Sequence, residues 1–575
     1  MPRATTRLAA LAIGLCVSLN FSPALAEESA NSTDLARTDL AGAYLAARLA
    51  SSDNDFAAAV LWHDKALMAD PTNAALLEGS VAARLALGDI AGAAASGKVL
   101  LATGTRNQIG YLGVLAGDIS TGDFAGILAD QAAGNTIGTL IDQLITAWAK
   151  VGLGRMTQAQ ADFDANIKTP GTGAFGLYHK ALALAASGDF EGADRLLSGP
   201  EAAAVMQLRR AVLARAQILA QLERNPEAVA LIDTAYGTRP DAGMANLRRR
   251  LAAGEPVAFD AARSATDGLA EVFFTLATAL NADADQTYVL LYARVAAALR
   301  PDHVEALLMS AEILGGLGQY ALASAVFGQV PAGDPAYVAA RIGQADAAIR
   351  AGQADASVAI LQALATDYPK DEAVLTALGD ALRRQDHCDQ AIPAYSAAIA
   401  LIPVPAPGHW PMFYKRAGCY VNLDDWTAAE ADFRFALTLD PTEPRLLNEL
   451  GYSWVDRGVH LDEALAMIQR AVAAAPDTGY IVDSLAWAYY RLGRYQDAVA
   501  PQEKASRLMP VDPIVTDHLG DIYWQVGRKR EAVFQWRRAL SFKPDDSDKA
   551  RIQRKLAVGL DTVLAEEAAA GTNGD

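Results

Sequence analysis

Cysteine is nearly absent from this sequence: Cys16, Cys388 and Cys419 are the three among 575 residues. So few thiols cannot build a disulfide framework or a thiolate zinc cluster. Histidine is also sparse, and the positions 63, 179, 303, 387, 409, 460 and 518 show no paired spacing suited to zinc. No Gly-x-Ser-x-Gly elbow occurs, and no cysteine and histidine stand in a recognisable catalytic setting. No metal, no cofactor and no catalytic residue are therefore expected, which points away from an enzyme. Basic charge is in deficit too, with a net charge of -18. Long-range repulsion then disfavours nucleic acid or anionic lipid as the main partner.

Long apolar runs are missing beyond the N-terminus. Leu8 to Phe21 is a short apolar core of about 14 residues, below the roughly 20 that a membrane-spanning helix needs. Arg3 and Arg7 give it a positive start and Ala24-Leu25-Ala26 supplies small residues after it. These are the parts of a secretory signal, with cleavage expected after Ala26 and a periplasmic mature chain. Leu15 before Cys16 does not suit a lipobox, so a lipid anchor is not expected. In an oxidising compartment Cys388 and Cys419 are a candidate disulfide, or equally two small buried apolar residues.

Several fragments imitate chemical motifs. Gly92 to Lys98 nearly spells a phosphate-binding loop, but Val99 stands where a magnesium-binding hydroxyl is needed and no strand leads in. Gly171, Gly173 and Gly176 form a lone G-x-G-x-x-G with the same defect. Asn281, Asp283 and Asp285 start like a calcium loop without its glycine and terminal glutamate, and fit a hairpin turn better.

What the sequence does contain is a beat. Prolines stand at 301, 335, 369 and 403, then at 441, 476, 510 and 544, at or near 34-residue steps. The apolar share is carried by Ala and Leu, good helix formers. In the clearest unit, Leu519 and Gly520 precede Tyr523, followed by Gly527, Ala532, Trp536, Ala539 and Pro544. The early residues share one face of a first helix and the later ones one face of a second. Gly520, Ala532 and Ala539 are small where the two helices should touch, and Gly527 suits a left-handed turn. Each hairpin leaves an apolar flank exposed until the next covers it, so the units must stack. The pattern resembles the tetratricopeptide repeat (TPR) closely.

That resemblance implies an all-α, right-handed superhelical solenoid of antiparallel helix pairs, about fourteen repeats in two segments. The expected divisions are a signal peptide (1–26), a degenerate repeat array (27–240), a joint (241–267), a C-terminal array (268–546), and a capping helix with a disordered-looking tail (547–575). Residues 104–139 are Gly-rich and match the pattern poorly. In such a solenoid the first helices line the concave surface at repeat positions 2, 5, 9 and 12. Here these include Tyr414, Asn448, Tyr452, Tyr480, Asp483, Trp487, Tyr490, Asp517, Asp521 and Trp524, an aromatic and acidic groove. Large aromatics with polar tips suit peptide capture, although Trp487 and Trp524 equally suit packing between helices. The carboxylate-clamp form of the fold carries Lys, Arg and Asn at these places; Asp483 and Asp517 favour basic or neutral partners instead.

Residues 444–546, with Asn448-Glu449-Leu450-Gly451-Tyr452 and Asp483-Ser484-Leu485-Ala486-Trp487, resemble the C-terminal part of bacterial envelope TPR proteins. That group includes the adaptor that brings cell-wall hydrolases to a carboxyl-terminal processing protease. The resemblance implies a scaffold or adaptor binding envelope proteins or peptides. Its alternatives are an outer-membrane or secretion assembly component and, more remotely, an enzyme with a small site hidden in the solenoid.

Overall fold

Proline punctuates the chain where second helices end. Pro441 follows the helix Trp426–Leu439, Pro476 follows Leu461–Ala474, Pro510 follows Tyr495–Leu508 and Pro544 follows Lys529–Ser541. Proline has no amide proton to extend a helical ladder and its ring clashes with the preceding turn. These boundaries come from a computed structural model, which describes residues 32–169, 173–237 and 239–571. Among the described residues there are thirty-one α-helices and no strand, the all-α class expected. From Ser32–Ser52 with Phe56–Leu67 to Pro513–Gln525 with Lys529–Ser541 they follow one another as fourteen pairs. The lone helix Ala242–Ala252 stands between the sixth and the seventh. The signal segment 1–26 and Gly171 lie outside the described residues.

Local chemistry sets the helix ends. Aspartates cap the second helices: Asp89 accepts from the Gly92 amide at 2.9 Å, Asp189 from Gly192 at 2.8 Å and Asp425 from Ala428 at 3.1 Å. Each such cap stabilises its helix by about 1 kcal/mol. The Gly92–Lys98 fragment therefore lies inside the capped helix Ile90–Ala102. Asp285 likewise caps Gln286–Leu299, accepting from the Thr287 and Tyr288 amides. The turn before Lys529–Ser541 uses Gly527 at φ +85°, as its position in the repeat predicts. The helices of a pair meet at small residues. A Cβ on Gly520 would lie 2.4 Å from Nε1 of Trp536, and one on Gly451 would lie 2.8 Å from Ile468.

The chain forms two compact units, Met1–Ala183 with Ser264–Val272, and Leu184–Arg263 with Phe273–Asp575. In the first, the Gly-rich stretch forms the helices Gln108–Thr121 and Phe124–Ala132. It departs from the repeat pattern because its glycines admit close backbone approach: a Cβ on Gly113 would meet the Ala93 carbonyl at 2.8 Å. Trp148 is fully buried at this unit's centre, donating from Nε1 to Nδ1 of His179 at 3.2 Å.

In the second unit, much of the expected joint is a packed helix. Met244, Leu247 and Leu251 of Ala242–Ala252 close the core over Val212, Ala216 and Ile232. Arg248 of the basic run pairs with Asp233 at 2.9 Å and Arg249 with Glu255 at 3.0 Å. At the other end, the single capping helix expected over 547–567 is two, Asp546–Val558 and Leu560–Gly571. Gly559, at φ +83° and ψ 158°, breaks the run. Ile552 and Leu560 pack on Leu519, Tyr523 and Trp536.

Candidate peptide-binding site

The ten residues expected to line a groove are not equally open. Asn448, Asp483, Tyr490, Asp517 and Asp521 are buried, while Tyr414, Tyr452, Tyr480, Trp487 and Trp524 are half-buried. They fall into two arrangements.

The first is a buried charge network at the C-terminal end. Lys555, on Asp546–Val558, places Nζ 2.7 Å from Oδ2 of Asp517 and 2.7 Å from both carboxylate oxygens of Asp521. Trp536 donates from Nε1 to Asp521 at 2.9 Å. Asp483 accepts from Gln502 and stands 3.1 Å from Nδ1 of His518, whose ring stacks on Trp487 at 3.9 Å. Trp524 donates to Asp561 at 3.0 Å and covers Gly559. The acidic character expected of the groove is thereby corrected at Asp483, Asp517 and Asp521. Their carboxylates are engaged inside the protein, Asp517 and Asp521 by Lys555 of the terminal helix pair and Asp483 by His518 of the neighbouring repeat. Trp524 is likewise taken up in packing, and Trp487 stacks between His518 and Tyr490.

This network has a sign in pH. Burial, together with the adjacent Asp521 charge, pushes Asp517 up to about 6. Burial opposes charge on His518, but Asp483, then Asp517 and Asp521, outweigh it and raise its pKa above the usual 6.5. Both groups hold a proton more tightly folded than unfolded. The His518 contribution is full below 6.5 and is lost as pH rises through its folded value; the Asp517 penalty disappears as pH falls through about 6. Helices 513–571 should therefore open less often near about pH 5.5 than near about pH 8. Hydrogen exchange corrected for intrinsic rates checks this, and faster opening at the lower pH refutes it.

The second arrangement spans three consecutive first helices, Trp410–Asn422, Pro444–Arg457 and Gly479–Arg491. Asn448 is 1% exposed, and neither Oδ1 nor Nδ2 meets a hydrogen-bond partner in the protein. Glu449 is half-buried, and burial holds its carboxyl above the ordinary range. Tyr414, Tyr452 and Tyr480 are raised first by burial; the negative charge of Glu449 acts on all three. Tyr414 and Tyr480 also pack on one apolar core around Leu447 and Leu450. The structure thus assembles Tyr414, Asn448, Tyr452 and Tyr480 with Glu449, which the reading at positions 2, 5, 9 and 12 missed. Glu449 sits at position 6, four residues after Arg445 and three before Tyr452, a helical spacing that would have found it.

The two cysteines come together. Cys388 opens the second helix Cys388–Ala400, Cys419 lies late in Trp410–Asn422, and their Sγ atoms are 2.8 Å apart. Both are buried free thiols here, and burial raises the Cys419 thiol well above its usual value. Oxidation with diamide followed by non-reducing peptide mapping is expected to join the two, slowly, because the thiolate is scarce. Two free thiols after prolonged treatment would remove the pairing.

Protein-family models agree with this architecture over the C-terminal array. TPR family models match residues 316–381, 376–444, 448–513 and 517–546. The C-terminal array over 316–546 is thus built of tetratricopeptide repeats. A TPR repeat-containing protein of Pseudomonas aeruginosa, PA4667, is 34% identical over 87 residues. That match spans 15% of this chain and 15% of the relative's length. Among solved structures, the Cut9-Hcn1 hetero-tetramer of the APC/C aligns over 92% of this chain and 98% of its own, at 16% identity and TM-score 0.37. A tetratricopeptide repeat protein from Parabacteroides merdae aligns over 44% and 98%, at 18% identity and TM-score 0.36. Among the described residues, no helix is long and apolar enough to cross a membrane.

Proposed function

We propose that this chain is an exported, non-catalytic scaffold that holds an extended segment of a partner protein along the first-helix face of residues 410–491. The carrying observation is Asn448, an amide buried with both polar ends unpaired, on the helix that carries Tyr452 and between the first helices that carry Tyr414 and Tyr480. A buried unpaired donor or acceptor costs about 1–3 kcal/mol, so a site that tolerates two awaits something that pairs them. Tyrosines around it offer large contact area at small entropic cost. Export to the periplasm rests on the segment Arg3 to Ala26 and an adaptor role on the 444–546 motifs. Together they support a scaffold that presents substrates to an envelope protease or organises cell-wall enzymes.

The test is site-specific photocrosslinking in cells. A benzoylphenylalanine at Tyr480 should trap a partner, whereas the same probe at exposed Phe534, on the second helix Lys529–Ser541, should not. Equal yields from both positions, or none at Tyr480, would overturn the reading. Mass spectrometry of the envelope fraction should find a mature N-terminus at Glu27.

A further inference from the structure

Resting on that peptide-binding reading, we infer that the site recognises a lysine or arginine side chain of the bound segment: Glu449 receives its positive charge, Tyr414, Tyr452 and Tyr480 enclose its stem, and Asn448 pairs with an adjacent backbone amide.

The argument starts from what is already paired. Arg445 is held by Glu443 at 2.7 Å and lies over Trp410, 4.8 Å from its ring. Arg491 donates to the Asp456 carbonyl at 3.1 Å. Asp483 is occupied by His518 and Gln502. Among the described residues no ion pair joins Glu449, and a half-buried carboxylate in that state gains from an incoming cation. Its charge reaches Tyr414, Tyr452 and Tyr480, phenols whose ring faces attract an ammonium or guanidinium and whose area covers an alkyl stem. Asn448 needs an acceptor for its NH2 and a donor for its oxygen together. A peptide bond carries both on one short unit, and Asn448 shares a helix face with Tyr452, one turn on. The chain's net charge of -18 draws a basic segment toward it from a distance.

The probe is a fluorescein-labelled nonapeptide of alternating Ser and Lys, measured by anisotropy against the whole mature chain, beside the same peptide with every lysine acetylated. The lysine peptide should bind and the acetylated one should not. Glu449→Gln, nearly isosteric, should weaken binding at least about thirtyfold, the loss of one charge pair in a desolvated setting. Glu463→Gln, on the exposed side of Leu461–Ala474, removes the same charge and should change nothing, which separates the site from general attraction to an acidic protein. Asn448→Leu removes both unpaired groups without harming the fold and should weaken binding as well. Equal affinity for the two peptides, or indifference to Glu449→Gln in a variant with unchanged circular dichroism, overturns the inference. If Tyr480 still crosslinks a partner in that case, the scaffold reading survives and only the basic side chain is lost; if it does not, both fall.

Discussion

Replacing Lys555 with Met is expected to destabilise the last repeat by about 3–5 kcal/mol, the cost of leaving buried charge without its partner. The ammonium is fully buried and serves Asp517 and Asp521 at once. Methionine fills the volume of the stem but supplies no donor, so two adjacent carboxylates must share what remains. Arg551 stands at 3.5 Å from Asp521 and 3.8 Å from Asp517 and offsets part of the loss. A long repeat array unravels locally rather than all at once, so a single melting temperature would blur the effect. Hydrogen exchange should show faster opening in Pro513–Gln525 and the helices after it, with no change before residue 372. A double variant, Lys555→Met with Asp521→Asn, should recover part of the loss because the second change removes one of the stranded charges. Opening of Pro513–Gln525 altered by less than about tenfold would show that Arg551 alone neutralises the pair.

That lysine marks the limit of what the primary structure reveals. Short-range signals carried the hairpins: Pro510 and Pro544 end helices, Gly527 takes the left-handed turn, and Gly520 meets Trp536 because their spacing places both on the helix–helix seam. Contacts between elements distant in sequence were another matter. Asp517 and Asp521 read as free acids because Lys555 lies 38 and 34 residues away, on a helix outside the repeat beat. Ser547 to Glu567 read as one helix because Gly559 is a single residue in a long helical pattern. Glycine in 104–139 spoiled the match to the repeat, yet it marks places where a backbone carbonyl needs the space a Cβ would fill. The Tyr414, Asn448 and Tyr480 cluster was legible through repeat register; Glu449, one position out of that register, was not.

The longest of these hidden contacts yields the other large effect. In the first unit Ser264–Val272 joins residues that precede it by more than eighty positions: Tyr178 donates to Glu271 at 2.9 Å, and Gly268 lies against the Trp148 indole. Trp148 is fully buried, edge-on to Phe163 at 5.9 Å, so Trp148→Ala should cost about 3–5 kcal/mol through lost contacts and the cavity left behind. Burial lowers the pKa of His179 to about 4, so the ring is neutral and its Nδ1 accepts the indole proton. Trp148→Phe keeps a ring but strands that nitrogen, and should cost about 1–3 kcal/mol. Gly268→Ala would drive a methyl to within 2.4 Å of the indole carbons, a clash of about 1–3 kcal/mol in a rigid core. Phenylalanine is shorter than tryptophan on that side, so the two changes together should cost less than their sum. Exchange in Thr139–Gly152, in residues 173–183 and in 264–272 reads the cycle. Strict additivity would mean that Gly268 and Trp148 do not press on one another, and that the segment is held to this unit by Tyr178 and Glu271 instead.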